Sequence, residues 1–156
     1  MKRRLRVERI RKKLTDISEA AEIVAEHLPK SSKEFTQLGL VKDGIYKRVE
    51  FALESVVDIL AILNADLALG VPEREEDFIV HAERRGIISS EMAEQLRAMR
   101  GFRNILVHRY GDIDDQLAFH TLVNHLGDFN EFVQTIEGFL ARAQKKHSDE
   151  NHPKAT

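Results

Sequence analysis

Apolar side chains recur at intervals of three and four residues along most of the chain, and this spacing predicts α-helices rather than strands. The first stripe predicts a helix of about six turns. Pro29 should end this helix, because proline cannot donate the next backbone hydrogen bond. No segment alternates apolar and polar residues convincingly, so we expect no β-sheet. The stripe of the first helix consists of Val7, Ile10, Leu14, Ile17, Ala21, Val24 and Leu28.

Capping residues and helix breakers place the next helices. Ser31, with Glu34 three residues later, has the form of a capping box, so a short helix is predicted to begin there. A second long helix should cover residues 43–69, with Gly70 as a left-handed cap and Pro72 preventing its continuation. Its predicted apolar stripe is Ile45, Val49, Ala52, Val56, Ile59 or Leu60, and Leu63.

Three more helices follow. A shorter one is predicted over 76–85, ending at Gly86, and the next one is capped by Ser89 or Ser90 and ends at Gly111. Asp112 or Asp114 can cap the last helix. The inward residues of the helix capped by Ser89 or Ser90 are Met92, Leu96, Met99 and Leu106. Those of the last helix are Leu122, Leu126, Phe129, Val133, Ile136 and Leu140.

Four substantial helices with short connections favour an all-α fold, an antiparallel bundle of four to five helices. The length of 156 residues fits one domain. We assign residues 1–144 to this helical domain and residues 145–156 to a polar tail that we expect to be disordered.

Composition excludes several classes of protein. There is no cysteine, which excludes disulfides, thiolate metal sites and a thiol nucleophile. No signal peptide and no apolar stretch of about 18 residues is present. We therefore expect a cytoplasmic protein that does not enter membranes. The net charge of −2, from 24 basic and 26 acidic residues, gives no global attraction to nucleic acid.

Basic residues crowd the start of the chain. They are Lys2, Arg3, Arg4, Arg6, Arg9, Arg11, Lys12 and Lys13. The simpler interpretation is a solvated helix end, and the alternative is a local patch for RNA phosphates.

One dense polar cluster stands out at residues 100–112, at the C-terminal end of a predicted helix. Asn104 and His108 are four residues apart, so they share one face of the helix. Arg103 lies about 140° around the axis from His108, but its side chain is long enough to curl back. Gly111 should unwind the helix end and free Tyr110 to turn toward the same place. A purely structural explanation also exists, since cations at a helix C-terminus interact favourably with the helix dipole.

The cluster resembles the signature of HEPN domains, in which an Arg and a polar residue precede a His. Here it reads Arg103-Asn104-Ile105-Leu106-Val107-His108. A Tyr two residues after the His, here Tyr110, resembles the pattern of the HepT-type toxins of MNT/HEPN toxin–antitoxin pairs. The resemblance extends over residues 5–142 by helix pattern and is specific over 100–114.

The resemblance implies a metal-independent endoribonuclease that acts as a homodimer on RNA. Arg103 and His108 would be the catalytic residues, with Asn104 and Arg109 in support. The Arg binds phosphate oxygens and the His moves a proton, since histidine changes protonation closest to neutral pH. Tyr110 would be the site at which a cognate minimal nucleotidyltransferase, the antitoxin, attaches AMP and silences the toxin.

Two other hypotheses remain open at this point. One is a non-catalytic HEPN module that binds nucleotide or a partner protein. The other is a helical oligomerisation domain with no site.

We predict no metal and no cofactor, since His120 and His125 lack the spacing of a helical metal pair. The acidic residues Glu50, Glu54 and Asp58 repeat every four residues. They form either a solvated face or an acidic wall beside Arg103 and His108.

Overall fold

The computed structural model describes residues 4–151, and this part of the chain contains helices and no strands, which confirms the predicted all-α fold. Four of the helices are long and make up the body of the fold. The elements are α1 (Val7–His27), α2 (Ser32–Thr36), α3 (Leu40–Asp66), α4 (Glu76–Arg84), α5 (Ser90–His108), a single 3-10 turn (Tyr110–Asp112), α6 (Asp115–His125) and α7 (Gly127–Asn151).

Side-chain caps begin three of these helices where the sequence predicts them. The hydroxyl oxygen of Ser31 accepts a hydrogen bond from the backbone N–H of Glu34 at the start of α2. Ser89, not Ser90, caps α5, and Asp114, not Asp112, caps α6. Each cap satisfies a backbone donor that has no partner within its own helix.

The core surrounds α3, which packs against α1, α4 and α5. Every position of its predicted stripe is buried, and both Ile59 and Leu60 face inward. On α1 the fully buried alanine is Ala20, while Ala21 is only partly buried. The largest side chains with almost no exposure include Phe35 of α2 and Phe132 of α7.

The end of α3 differs from the prediction. Ala68, with φ of 51°, is the left-handed residue that follows the helix, so Gly70 is not its cap. Gly70 serves packing instead: a Cβ atom there would lie 2.9 Å from the ring of the buried His81. Its carbonyl accepts a hydrogen bond of 2.8 Å from the Asn64 amide, whose oxygen lies 2.8 Å from Nδ1 of His81.

The predicted last helix is wrong as a single element, because the chain bends between α6 and α7 at Leu126 and Gly127. The two pieces have different neighbours: α6 packs on α2, and α7 packs on α1. A straight helix could not reach both, and glycine is a poor residue for continuing one. The apolar stripe therefore runs through the bend, with Leu122 and Phe129 both buried.

The predicted start of the tail at residue 145 falls inside α7, which continues as helix to Asn151. His152 and the rest of the C-terminal segment lie outside the described residues, so disorder there stays a prediction. In the described part of the chain, no helix is long and apolar enough to cross a membrane.

Much of the basic cluster near the N-terminus is paired with acidic residues. Arg6 binds the buried Asp66 at the end of α3, Lys12 binds Asp16, and Lys13 binds Asp58. Arg11 contacts Glu137 and Gln144 of α7. These pairs favour the structural interpretation of the cluster. Lys2 and Arg3 lie outside the described residues.

A polar network joins the start of α6 to α3. Asp115 accepts a hydrogen bond of 2.6 Å from the Tyr46 hydroxyl and another of 2.7 Å from the Lys42 ammonium. Partial burial raises the pKa of Asp115, but these two donors outweigh that effect and the pKa is lowered overall. The pKa of Tyr46 is raised far above its ordinary value, first by burial and then by the carboxylate.

Replacing Tyr46 with Phe should destabilise the protein in a pH-dependent way. Near neutral pH we expect a loss of about 1.5–3 kcal/mol in the free energy of unfolding, typical of a hydrogen bond to a charged group. Because the folded-state pKa of Asp115 is depressed, its stabilising contribution is present above the unfolded pKa and is lost as pH falls through the folded one. Urea unfolding at about pH 7 and about pH 3 should therefore show the difference between variant and wild type shrinking in acid. A difference of equal size at both pH values would contradict this account.

Candidate active site at the end of α5

The six-residue segment from Arg103 to His108 forms the last turns of α5, and Leu106 within it is buried against the core. Arg109 ends the helix with a φ of −125°. The chain then makes the 3-10 turn that starts at Tyr110, stabilised by a 2.8 Å hydrogen bond from the N–H of Asp112 to the carbonyl of Arg109. The sequence predicts that this helix ends at Gly111, but α5 ends three residues earlier at His108, and Tyr110 turns to α3 and not toward His108.

Arg103 does not curl toward His108 but turns to α4. Its Nη2 atom lies 2.7 Å from a carboxylate oxygen of Glu75 and 3.1 Å from the side-chain oxygen of Asn104. Only 18% of the Arg103 side-chain surface is exposed to solvent. The guanidinium is therefore held against the start of α4.

Two more arginines of α5 make the same kind of contact. Arg97 and Arg100 bind the two carboxylate oxygens of Glu76, at 2.7 and 3.1 Å. Residues 97, 100 and 103 follow one face of α5, so the acidic beginning of α4 meets three cations in a row. We call these contacts, made by Glu75 and Glu76 with Arg97, Arg100 and Arg103, the α4–α5 ion-pair ladder.

His108 is exposed, and its imidazole makes no hydrogen bond or ion pair with the residues that the structure describes. Arg109 is exposed in the same way. The oxygen of Asn104 contacts Arg103, so within one chain Asn104 orients the arginine and not the histidine. The structure therefore brings Arg103 and Asn104 together and leaves His108 and Arg109 open to solvent.

Tyr110 faces the first turns of α3. The residue is 56% exposed, and its hydroxyl lies near enough to the carboxylate of Asp43 for that charge to affect its pKa. The pKa of Tyr110 is raised, first by partial burial, then by Asp43 and to a smaller extent by Glu50, while Lys42 opposes the shift. The phenol is thus accessible and protonated, with a carboxylate beside it.

The acidic partner of Arg103 is a residue that the sequence analysis missed. Glu50 binds Lys47, Asp58 binds Lys13, and Glu54 is exposed, so the proposed acidic wall on α3 does not pair with Arg103. Glu75 takes that place. The signal was present in the sequence, since two acidic residues begin one helix and three arginines at intervals of three lie on the next.

Potential metal ligands do not cluster around the motif. Among residues 4–151, no group of three or more His, Asp or Glu side chains is placed to hold a metal ion. His125 pairs with Asp128 at 3.1 Å, and the His120 ring packs against Phe119.

The fold is that of HEPN proteins. The structure of a tri-AMPylated Shewanella oneidensis HEPN toxin in complex with MNT antitoxin superposes with a TM-score of 0.75, at 24% identity, over 83% of this chain and 97% of that one. The structure of YutE, a cytosolic Bacillus subtilis protein of unknown function, gives a TM-score of 0.77 at 13% identity and covers 89% of this chain and 93% of that one. At these identities the likeness concerns the fold alone.

Sequence comparison identifies the family. The family model described as Ribonuclease HepT-like matches residues 17–136, which include the whole segment from Arg103 to Tyr110. The chain belongs to this ribonuclease family. The mRNA nuclease HepT of Shewanella oneidensis is 27% identical over 104 residues, or 67% of this chain and 78% of that protein. The tRNA nuclease HepT of Aphanizomenon flos-aquae is 23% identical over 99 residues, or 64% of this chain and 67% of that protein.

The effect of Asp43 on Tyr110 can be measured directly, because Tyr46 is the only other tyrosine. In a Tyr46→Phe background, ultraviolet absorbance follows the titration of Tyr110 alone. Asp43→Asn should lower the pKa of Tyr110, since it removes a negative charge that disfavours the phenolate. Glu54→Gln, on the same helix, should leave that pKa unchanged. If both variants titrate like their parent, Tyr110 does not interact with Asp43.

Proposed function

We propose that this HepT-like ribonuclease is the toxin of a toxin–antitoxin pair and cleaves RNA without a metal ion, through Arg103 and His108. One observation supports the proposal above all. The family match includes an arginine, a histidine and a tyrosine in the spacing Arg-x4-His-x-Tyr, at an exposed helix end.

RNA supplies its own nucleophile, and the enzyme has to move two protons. A general base removes the proton of the 2′-hydroxyl, whose oxygen then bonds to phosphorus. The bond to the 5′-oxygen breaks, and a general acid protonates that leaving oxygen. Arg103 can donate hydrogen bonds to the phosphate oxygens as negative charge accumulates on them. His108 can perform one of the two proton transfers, and in a dimer the His108 of the second copy can perform the other. Arg109 can bind a flanking phosphate.

A second copy of the chain would complete this arrangement. Within one chain there is one His108, and Arg103 turns away from it toward Glu75. Two copies that face each other across α5 would supply a base, an acid and two arginines to one cleft. Ile105 and Val107, which flank the motif residues on the last turn of α5, are exposed, as is Phe51 of α3. Burial of these apolar side chains would stabilise a two-fold dimer.

Tyr110 would regulate this cleft. We propose that a nucleotidyltransferase antitoxin transfers AMP to it from ATP: the phenolic oxygen bonds to the α-phosphorus, pyrophosphate leaves, and the hydroxyl proton passes to a base. The product places a negatively charged group two residues from His108, where it would compete with an RNA phosphate for the arginines. The exposure of Tyr110 supports this role. A cytoplasmic location, where RNA and ATP are available, is part of the proposal.

The first test is cleavage of RNA in the presence of EDTA. Wild-type protein should cleave, and His108→Ala should lower the rate by about 100-fold or more, the usual contribution of general acid–base catalysis. His120→Ala removes another exposed histidine on α6 and should retain full activity. Circular dichroism should show the same helix content in all three proteins.

Two outcomes would contradict the nuclease mechanism. Wild-type protein that leaves RNA intact but binds nucleotide or a partner protein would support the non-catalytic module instead. His108→Ala protein that cleaves as fast as wild type would place the chemistry elsewhere.

The second test concerns Tyr110. After co-expression with its nucleotidyltransferase, mass spectrometry should show mass added in units of AMP on the peptide that contains Tyr110, together with loss of RNA cleavage. Tyr110→Phe, which removes the phenolic oxygen, should stay unmodified at this position and escape silencing. A silenced complex in which Tyr110 carries no AMP would refute this mode of neutralisation.

A further inference from the structure

Among residues 4–151, the guanidinium of Arg103 makes its polar contacts through one nitrogen. Nη2 makes both of its contacts, to the carboxylate of Glu75 and to the oxygen of Asn104. A guanidinium carries five N–H donors, so the donors on Nε and Nη1 are not used by these contacts. The arginine is therefore oriented and still able to bind an anion.

Glu75 is itself held in place. It directly precedes α4, and the carboxylate of Asp77 accepts hydrogen bonds from the backbone N–H groups of Glu73 and Arg74, at 2.8 and 3.0 Å. The backbone that leads into Glu75 is thus restrained, and the Glu75 carboxylate accepts a hydrogen bond of 2.7 Å from Arg103.

From these contacts we propose that Glu75 is a positioning residue for RNA cleavage, which acts by orienting Arg103 toward the scissile phosphate. This inference rests on the proposed ribonuclease function. A flexible arginine would lose side-chain entropy each time it bound the phosphate. The pair with Glu75 already restricts the Arg103 side chain before RNA binds, so less entropy is lost on binding. Glu75 does not itself touch the RNA.

The opposite role, in which Glu75 blocks Arg103, is less consistent with the contacts. A blocking carboxylate would engage two nitrogens of the guanidinium side by side, the geometry that a phosphate also uses. Here the contact shorter than 3 Å is to a single nitrogen, which Glu75 shares with Asn104. The two roles predict opposite effects of removing Glu75, so the sign of the effect distinguishes them.

The kinetic test compares Glu75→Ala with Glu76→Gln. Glu75→Ala should lower kcat for RNA by about 10- to 100-fold, the scale expected for a misplaced catalytic group, with a smaller change in KM. Glu76→Gln weakens the contacts of Arg97 and Arg100 but leaves the partner of Arg103 intact, so it should retain kcat within about threefold. Glu75→Gln keeps an oxygen acceptor, so its kcat should lie between those of Glu75→Ala and wild type.

A spectroscopic test reports on Arg103 without any RNA. In a ¹H–¹⁵N spectrum of the full chain, the Nε–H signal of Arg103, identified by its absence in Arg103→Lys, should show restricted motion in wild type and in Glu76→Gln. The same signal should become mobile or exchange away in Glu75→Ala. An unchanged signal in Glu75→Ala would overturn the proposed role of Glu75.

The outcomes separate this inference from the function on which it rests. If wild type cleaves RNA and His108→Ala does not, but Glu75→Ala cleaves as fast as wild type or faster, only the role of Glu75 is overturned. If wild type does not cleave RNA, the proposed function fails, and with it the positioning of Arg103 for cleavage.

Discussion

The pair between Glu75 and Arg103, one contact of the α4–α5 ion-pair ladder, determines where Arg103 points, and the rest of the site depends on it. Residues five apart on a helix lie about 140° apart around its axis, so whether Arg103 reaches toward His108 depends on what its long side chain contacts. Glu75 holds Arg103 against the start of α4. His108 stays on the solvent side, at the end of the same helix.

Under the proposed mechanism, this separation makes a single chain an incomplete enzyme and accounts for the exposed apolar side chains around the motif. An exposed imidazole, exposed apolar side chains and a half-exposed phenol lie within two turns of each other. A second copy would cover the apolar side chains and add the missing groups. A nucleotidyl group on Tyr110 would then act on a cleft built from both copies.

The features of the fold that follow local rules could be predicted from the sequence. Ser31, Ser89 and Asp114 cap helices because a side-chain oxygen three residues before a backbone N–H needs no distant partner. The buried stripes follow from helical periodicity. The bend at Gly127 could not be predicted in this way, because it depends on α6 and α7 packing on different helices.

The candidate site shows the same division. The residues of the motif are contiguous, and a family pattern over 100–114 was enough to single them out. The contact of Arg103 with Glu75 joins residues 28 positions apart, and only the packing of α4 on α5 reveals it. The direction of the Arg103 side chain therefore could not be predicted from the helical geometry of α5 alone.

The central claim is that Arg103 and His108 of different copies cooperate in one cleft. The most direct test co-expresses an Arg103→Ala chain and a His108→Ala chain with different affinity tags and purifies the mixed dimer through both. Each variant alone should be slowed by about 100-fold or more, and the mixed dimer, which keeps one arginine and one histidine on opposite copies and so retains one of the two proton transfers, should cleave RNA without metal faster than either parent but more slowly than wild type. A mixed dimer as slow as its two parents, beside active wild type, would contradict the account, and so would the absence of any dimer.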